Sequence, residues 1–245
     1  MLGDEFDLAV LVAASETRSR TMAFVDATAA LGLVEPVDPL GGRYCFVHAL
    51  TRQAVLDRTS PSRLSLLHAR AGEALERLPR QAALVLRLAH HFLAAHVLGY
   101  HDQALRHSRD AGRLAENSLA FEEAAGWFER AATLPDCDPD DRSQLLLAAA
   151  ADYVRSCHFP RAREIYEELA TTGSSREVRL AATIGFEDAT WRPGVHGTRA
   201  ADLLSAAVAA SGVDQRSARY VRALGSLGRA LARAGDTQPT RSTAP

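Results

Sequence analysis

From Ser62 onward, small and apolar residues fall at helical spacing almost without interruption. A chain patterned this way has little choice but to fold as a series of packed helices. Arg63–Leu78 sets Leu64, Leu67, Ala71, Ala74, Leu75 and Leu78 on one stripe. Ala82–Leu98 is apolar on most sides, which predicts deep packing. Ala124, Phe128 and Ala131 then recur as Ala162, Tyr166 and Leu169, an offset of 38 residues (124 to 162). A weaker unit covers 176–211, broken by the turn WRPGVHG, and Ser217–Ala234 reads as one more helix. Alanine dominates the apolar set and aromatics make up only 6% of the chain, so the helices can approach closely, as in stacked helical repeats.

The first sixty residues follow a different pattern. Phe6, Leu8, Ala9, Leu11 and Val12 predict a short apolar helix, with Asp4 as its N-cap. A second helix is expected from about Ser19 to Ala30, with Met22, Val25, Ala29 and Leu31 facing inward and Gly32 at its end. VEPVDPLGGRYCFV reads as two strands around a Pro39-Leu40-Gly41-Gly42 turn. Helix, helix, hairpin is the second half of a winged helix, and its first helix would be expected before Met1.

Composition excludes several chemistries. All 28 basic side chains are arginine. A P-loop needs a lysine to reach the β- and γ-phosphates, and Schiff-base chemistry needs a lysine amine. The net charge of −2 gives no general attraction to nucleic acid or an anionic membrane. The second helix offers only Arg18 and Arg20 before Asp26, and the hairpin only Arg43, so direct DNA binding is not expected. Cys45, Cys137 and Cys157 are odd in number and widely spaced, which fits a reducing, cytoplasmic setting. No apolar run is long enough to span a membrane, and no basic leader opens the chain.

His90, His91 and His96 lack the spacing that sets two imidazoles on one helix face for a metal, and are expected at a helix–helix seam. Glu122-Glu123, Asp140-Asp141 and Glu167-Glu168 read as solvated faces or helix starts. No catalytic set and no metal ligands are assigned.

The stretch 44–78, YCFVHALTRQAVLDRTSPSRLSLLHARAGEALERL, passes from a strand through a histidine into two helices. It resembles the end of the winged-helix domain in signal-transducing ATPases of the STAND type, including the large LuxR-family (MalT-like) transcriptional regulators. The helix pairs of 101–170 resemble tetratricopeptide repeats, with Gly112 at the first-helix glycine and Ala124, Phe128 and Ala131 at the second-helix positions. Val47-His48-Ala49-Leu50 is similar to the family's Met-His-Asp-Leu motif, with Val47 and Ala49 departing from it. That similarity implies a diphosphate-sensing role for His48 in an intact ATPase; the alternative is a histidine that merely starts a helix.

The resemblance implies a mostly α chain: a partial winged helix over 1–60, a TPR-like α-solenoid of antiparallel helix pairs over 61–235, and a disordered tail over 236–245. It implies a regulatory module that binds a protein or a small-molecule inducer through its repeats, without the family's P-loop ATPase or C-terminal helix-turn-helix. No cofactor is expected here, although ATP or ADP is implied for the full-length family. Tyr220, Leu224, Leu227 and Leu231 form a stripe on the last helix, expected to self-associate or to meet a partner helix. Two rival readings are a truncated gene fragment without independent activity and an enzyme with its site in the solenoid groove.

Overall fold

A computed structural model describes residues 5–79, 82–210 and 217–235. The chain is mostly helical, with one small antiparallel sheet near the start followed by helical repeats. It divides into two compact units, Met1–Ala111 and Gly112–Pro245.

The first unit begins with β1 (Glu5–Asp7), α1 (Leu8–Ala13) and α2 (Arg18–Ala30). The hairpin of β2 (Val34–Pro36) and β3 (Arg43–Phe46) follows, then α3 (Ala49–Asp57). The sheet order is β1-β3-β2, all antiparallel, with Phe6 opposite Tyr44 and Val34 opposite Phe46. Asp38 closes the hairpin turn by accepting from the backbone N–H groups of Leu40, Gly42 and Arg43. These bonds hold its carboxyl below the usual range.

Two expectations for this region are corrected. Phe6 lies in a strand, because pairing with Tyr44 and stacking on its ring at 5.9 Å hold it extended. On α2, Val25 and Thr21 are buried, whereas Met22 and Leu31 are exposed. The inward stripe is therefore narrower than the apolar spacing suggested. Asp4 lies outside the described residues.

Next come α4 (Pro61–Glu76) and α5 (Ala82–Ala95), which ends in a 3-10 turn at His96–Leu98. Ser60 caps α4 by accepting from Arg63 N–H, with Pro61 at the first turn. Gly72 lets α4 approach the Phe92 ring of α5, where an added Cβ would come within 2.9–3.2 Å. Phe92 is fully buried and stacks on His107 at 5.2 Å. Asp7 and Arg87 join the β1 end to α5 at 2.7 Å.

The boundary between units falls within α6 (His101–Asn117). The second unit continues with α7 (Phe121–Ala132), α8 (Pro139–Arg155), α9 (Phe159–Thr172), α10 (Arg176–Trp191), α11 (Thr198–Ala209) and α12 (Ala218–Gly235). The expected tail over 236–245 lies outside the described residues.

The 38-residue recurrence is structural. Ala124, Phe128 and Ala131 of α7 are buried, and so are Ala162, Tyr166 and Leu169 of α9. The turns before these helices recur too. Leu119 and Cys157 both adopt positive φ, 59° and 64°. Ala120 N–H reaches Ala115 C=O as His158 N–H reaches Tyr153 C=O, the bond that closes a Schellman-type helix end. Arg161 pairs with Glu129 across α9 and α7, and Arg199 with Glu167 across α11 and α9 at 2.6 Å.

Packing depends on rings seated over glycines. Phe128 lies so close to Gly112 that a Cβ there would meet the ring at 2.4 Å, and Tyr166 lies over Gly185 of α10 at 2.3 Å. Phe128→Ala is expected to cost roughly 3–5 kcal/mol, and Gly112→Ala roughly 1–3 kcal/mol through overpacking. Urea denaturation measures both; an unchanged midpoint in either variant would show that this contact does not hold the unit together.

Candidate functional site

The second unit holds a groove of about 1150 Å³. Its floor is one face of α10, read off at Ala181, Ile184, Gly185 and Asp188. The face repeats every three or four residues, so a single side of the helix lines the groove. Ala151 and Val154 of α8 flank it on one side, and the first turn of α12 on the other. Ser175 accepts from Val178 N–H and fixes where α10 begins.

The lining is strongly basic. Arg155, Arg176, Arg192, Arg219 and Arg222 face only Glu177 and Asp188, a net +3 (5 − 2) in a chain whose total is −2. Three of the five are engaged. Arg155 donates to Asp152 at 2.6 Å and to Glu116 at 3.1 Å. Arg219 pairs with Glu177 at 3.0 Å. Arg192 lies over the Trp191 ring at 5.3 Å. Arg176 and Arg222 have no carboxylate within ion-pair distance among the described residues, and both are exposed.

Behind the lining, acids are buried at a depth that needs cations nearby. Glu187 is fully buried and receives two hydrogen bonds from Arg229, at 3.2 and 2.7 Å. Asp152 is also fully buried; one oxygen takes the Arg155 bond and Oδ2 has no partner. Burial pushes its carboxyl upward. Tyr166 lines the groove, and its hydroxyl is pushed up to about 12, first by burial and then by the nearby Asp188 carboxylate.

His48, singled out by its motif, is exposed at the N-cap of α3, with its side chain making no capping bond. Tyr220 and Leu227 of α12 are half-buried, and Leu224 and Leu231 are exposed. The helix buries its small residues instead: Ala223, Ser226 and Ala230. Ala230 packs against Gly197, where a Cβ would come within 2.5 Å of its carbonyl oxygen. Leu224 and Leu231 therefore stand outside the packed face, whereas Tyr220 and Leu227 lie at its edge.

The sequence missed the groove because no motif marks it; the only available signal was arginine at 176, 192, 219 and 222, spread over two helices that the fold brings together. It expected His91 at a helix–helix seam but did not identify His68 as its partner. His68 of α4 meets His91 of α5, Nδ1 to Nδ1 at 2.9 Å, and both are buried. His90 stands beside them, exposed, with its ring centroid 5.3 Å from His68. Among the described residues no cluster of three ligands has metal-binding geometry.

No known protein family, curated protein or solved structure matches this chain.

A hydrogen bond between two Nδ1 atoms needs one as donor and the other as acceptor, so at least one imidazole must be neutral. Burial first, and the neighbouring charges next, pull His68 down to about 4 and His91 to about 3. The folded values lie below the unfolded value near 6.5, so the stabilisation is complete above that pH and is lost as pH falls toward 4. At pH 5 the pair is expected to have lost roughly 2–4 kcal/mol, because each imidazole kept neutral by the fold forgoes about 1.4 kcal/mol for every tenfold rise in proton concentration below its unfolded pKa. Urea midpoints at pH 7.5 and 5, compared between the parent and a His68→Leu/His91→Leu double variant, measure it. An equal acid loss in both proteins would show that the histidines are not its source.

Proposed function

We propose that this chain is a regulatory interaction module of a LuxR-family or STAND-type regulator, working in the cytoplasm, whose tetratricopeptide-like helix pairs receive a partner or inducer. The single observation that carries the reading is the open basic groove lined by a full face of α10. Concave surfaces that combine apolar area with a few placed polar groups are the usual binding sites of folded chains.

Two further features support it. The run of α1, α2 and then a hairpin follows the helix, helix, hairpin order on which the winged-helix reading rests. Arg43 of the hairpin is occupied by Glu5 and Asp38, which leaves the wing without a free cation for a phosphate backbone. Binding is favoured over catalysis in the groove. Its two carboxylates are engaged, Glu177 by Arg219 and Asp188 by the Trp191 indole N–H, and its described lining holds no histidine or cysteine.

A photo-crosslinking residue placed at Ala181, in the groove, tests this against one at Glu164, an exposed position on α9. The expected outcome is a discrete adduct from Ala181 that Glu164 does not give. Identical adduct patterns from the two positions would sink the groove as the binding surface.

Self-association through α12 is the second reading, favoured by the outward Leu224 and Leu231. Sedimentation at tens of micromolar should show species above monomer mass that Leu224→Glu/Leu231→Glu abolishes. A clean monomer in both proteins would dismiss it.

A further inference from the structure

We propose that the groove takes an extended acidic peptide segment of a partner protein, with Arg176 and Arg222 as its carboxylate receivers. This rests on the reading of the groove as the binding surface and names the chemistry of its occupant.

Local charge excess is the first ground. Within the second unit the carboxylates of α7, α9 and the start of α8 are interspersed with arginines, Glu164 beside Arg161 and Glu168 beside Arg142, whereas the groove gathers arginine in excess. A chain of net charge −2 that concentrates +3 on one concave face steers anionic ligands to that face.

The second ground is that the compensation is uneven. Arg155 and Arg219 already have carboxylates, at 2.6 and 3.0 Å. Arg176 and Arg222 have none among the described residues, although they line the same end of the groove as Glu177 and Arg219. A guanidinium presents donors in a planar fork that matches a carboxylate two bonds at a time. The N-termini of α10 and α12 lie at that end too, and their helix dipoles add positive potential.

Length is the third ground. From Arg176 to Arg192 the α10 face covers 16 residues (192 − 176), about 24 Å at 1.5 Å per residue. An extended chain rises about 3.3 Å per residue, so roughly seven residues fill the groove. Ala181, Ile184 and Val154 lie between the basic ends and offer an apolar seat for a side chain in the middle of the segment. An acidic peptide with a central leucine meets all three features, whereas a small anion would use only one end.

Three fluorescein-labelled heptapeptides test this on the full chain: a central leucine flanked by Glu and Asp, the same sequence with Gln and Asn, and the same with Arg. Anisotropy should show binding of the acidic peptide alone, weakening as salt rises. Arg176→Glu/Arg222→Glu should weaken it at least about tenfold, with the circular dichroism and melting curve unchanged. Arg63→Glu, an exposed change on α4 in the other unit, should leave affinity unchanged. Equal binding of the amide peptide, or unchanged affinity after charge reversal, would overturn the acidic assignment while leaving the groove as a binding surface. Failure of all three peptides overturns it as well, and if Ala181 then also gives no specific adduct, the binding reading falls with it.

Discussion

Helices of this chain come together where an aromatic ring sits directly over a glycine. Phe92 lies over Gly72, Phe128 over Gly112 and Tyr166 over Gly185. Each ring occupies the space a side chain would fill, so the backbones approach closely and the ring is buried by the partner helix itself. Alanine does the rest: Ala124, Ala131, Ala149 and Ala162 are all fully buried in the second unit. A core of small residues loses little side-chain entropy on folding, but it also provides little apolar area per residue. The few large aromatics therefore carry a disproportionate share of the packing, and their glycines cannot be exchanged freely.

How much of this was legible follows from what each feature depends on. The helices of the second unit were readable because burial there has the period of the helix, and the Phe128 and Tyr166 positions followed from the same spacing. The hairpin was readable from its turn residues. The strand at Glu5–Asp7 was not, because three residues carry too short a pattern, and its conformation is set by a partner strand almost forty residues away. The inward face of α2 was misjudged at Met22 and Leu31 for a related reason: apolar spacing marks a face that can be buried, and only the neighbouring elements decide whether it is.

The groove and the buried acids belong to a third class. Glu187 and Asp152 look in sequence like any other charges on a helix, yet both are fully buried, and Glu187 is held there by Arg229, 42 residues away (229 − 187). The parallel pair Glu177 and Arg219 has the same separation and lies at the surface. Equal spacing thus yields a pair with a buried carboxylate at one end of α10 and an exposed pair at the other. A buried pair is costly to break because the remaining charge is left without solvent, whereas an exposed pair contributes little. Arrangement of this kind is a property of the folded unit and has no counterpart in a linear motif.

The absence of lysine has a consequence for the groove that its geometry alone does not reveal. Every cation lining it is a guanidinium, which stays protonated at any pH a cell reaches. The positive field is therefore a constant of the molecule, beyond the reach of lysine acetylation. Its two acids, Glu177 and Asp188, are each held by a partner, Arg219 and the Trp191 indole N–H. Control over what the groove attracts must then act on the visitor, or on the arginines by a change such as methylation, which keeps the charge but blocks paired hydrogen bonds.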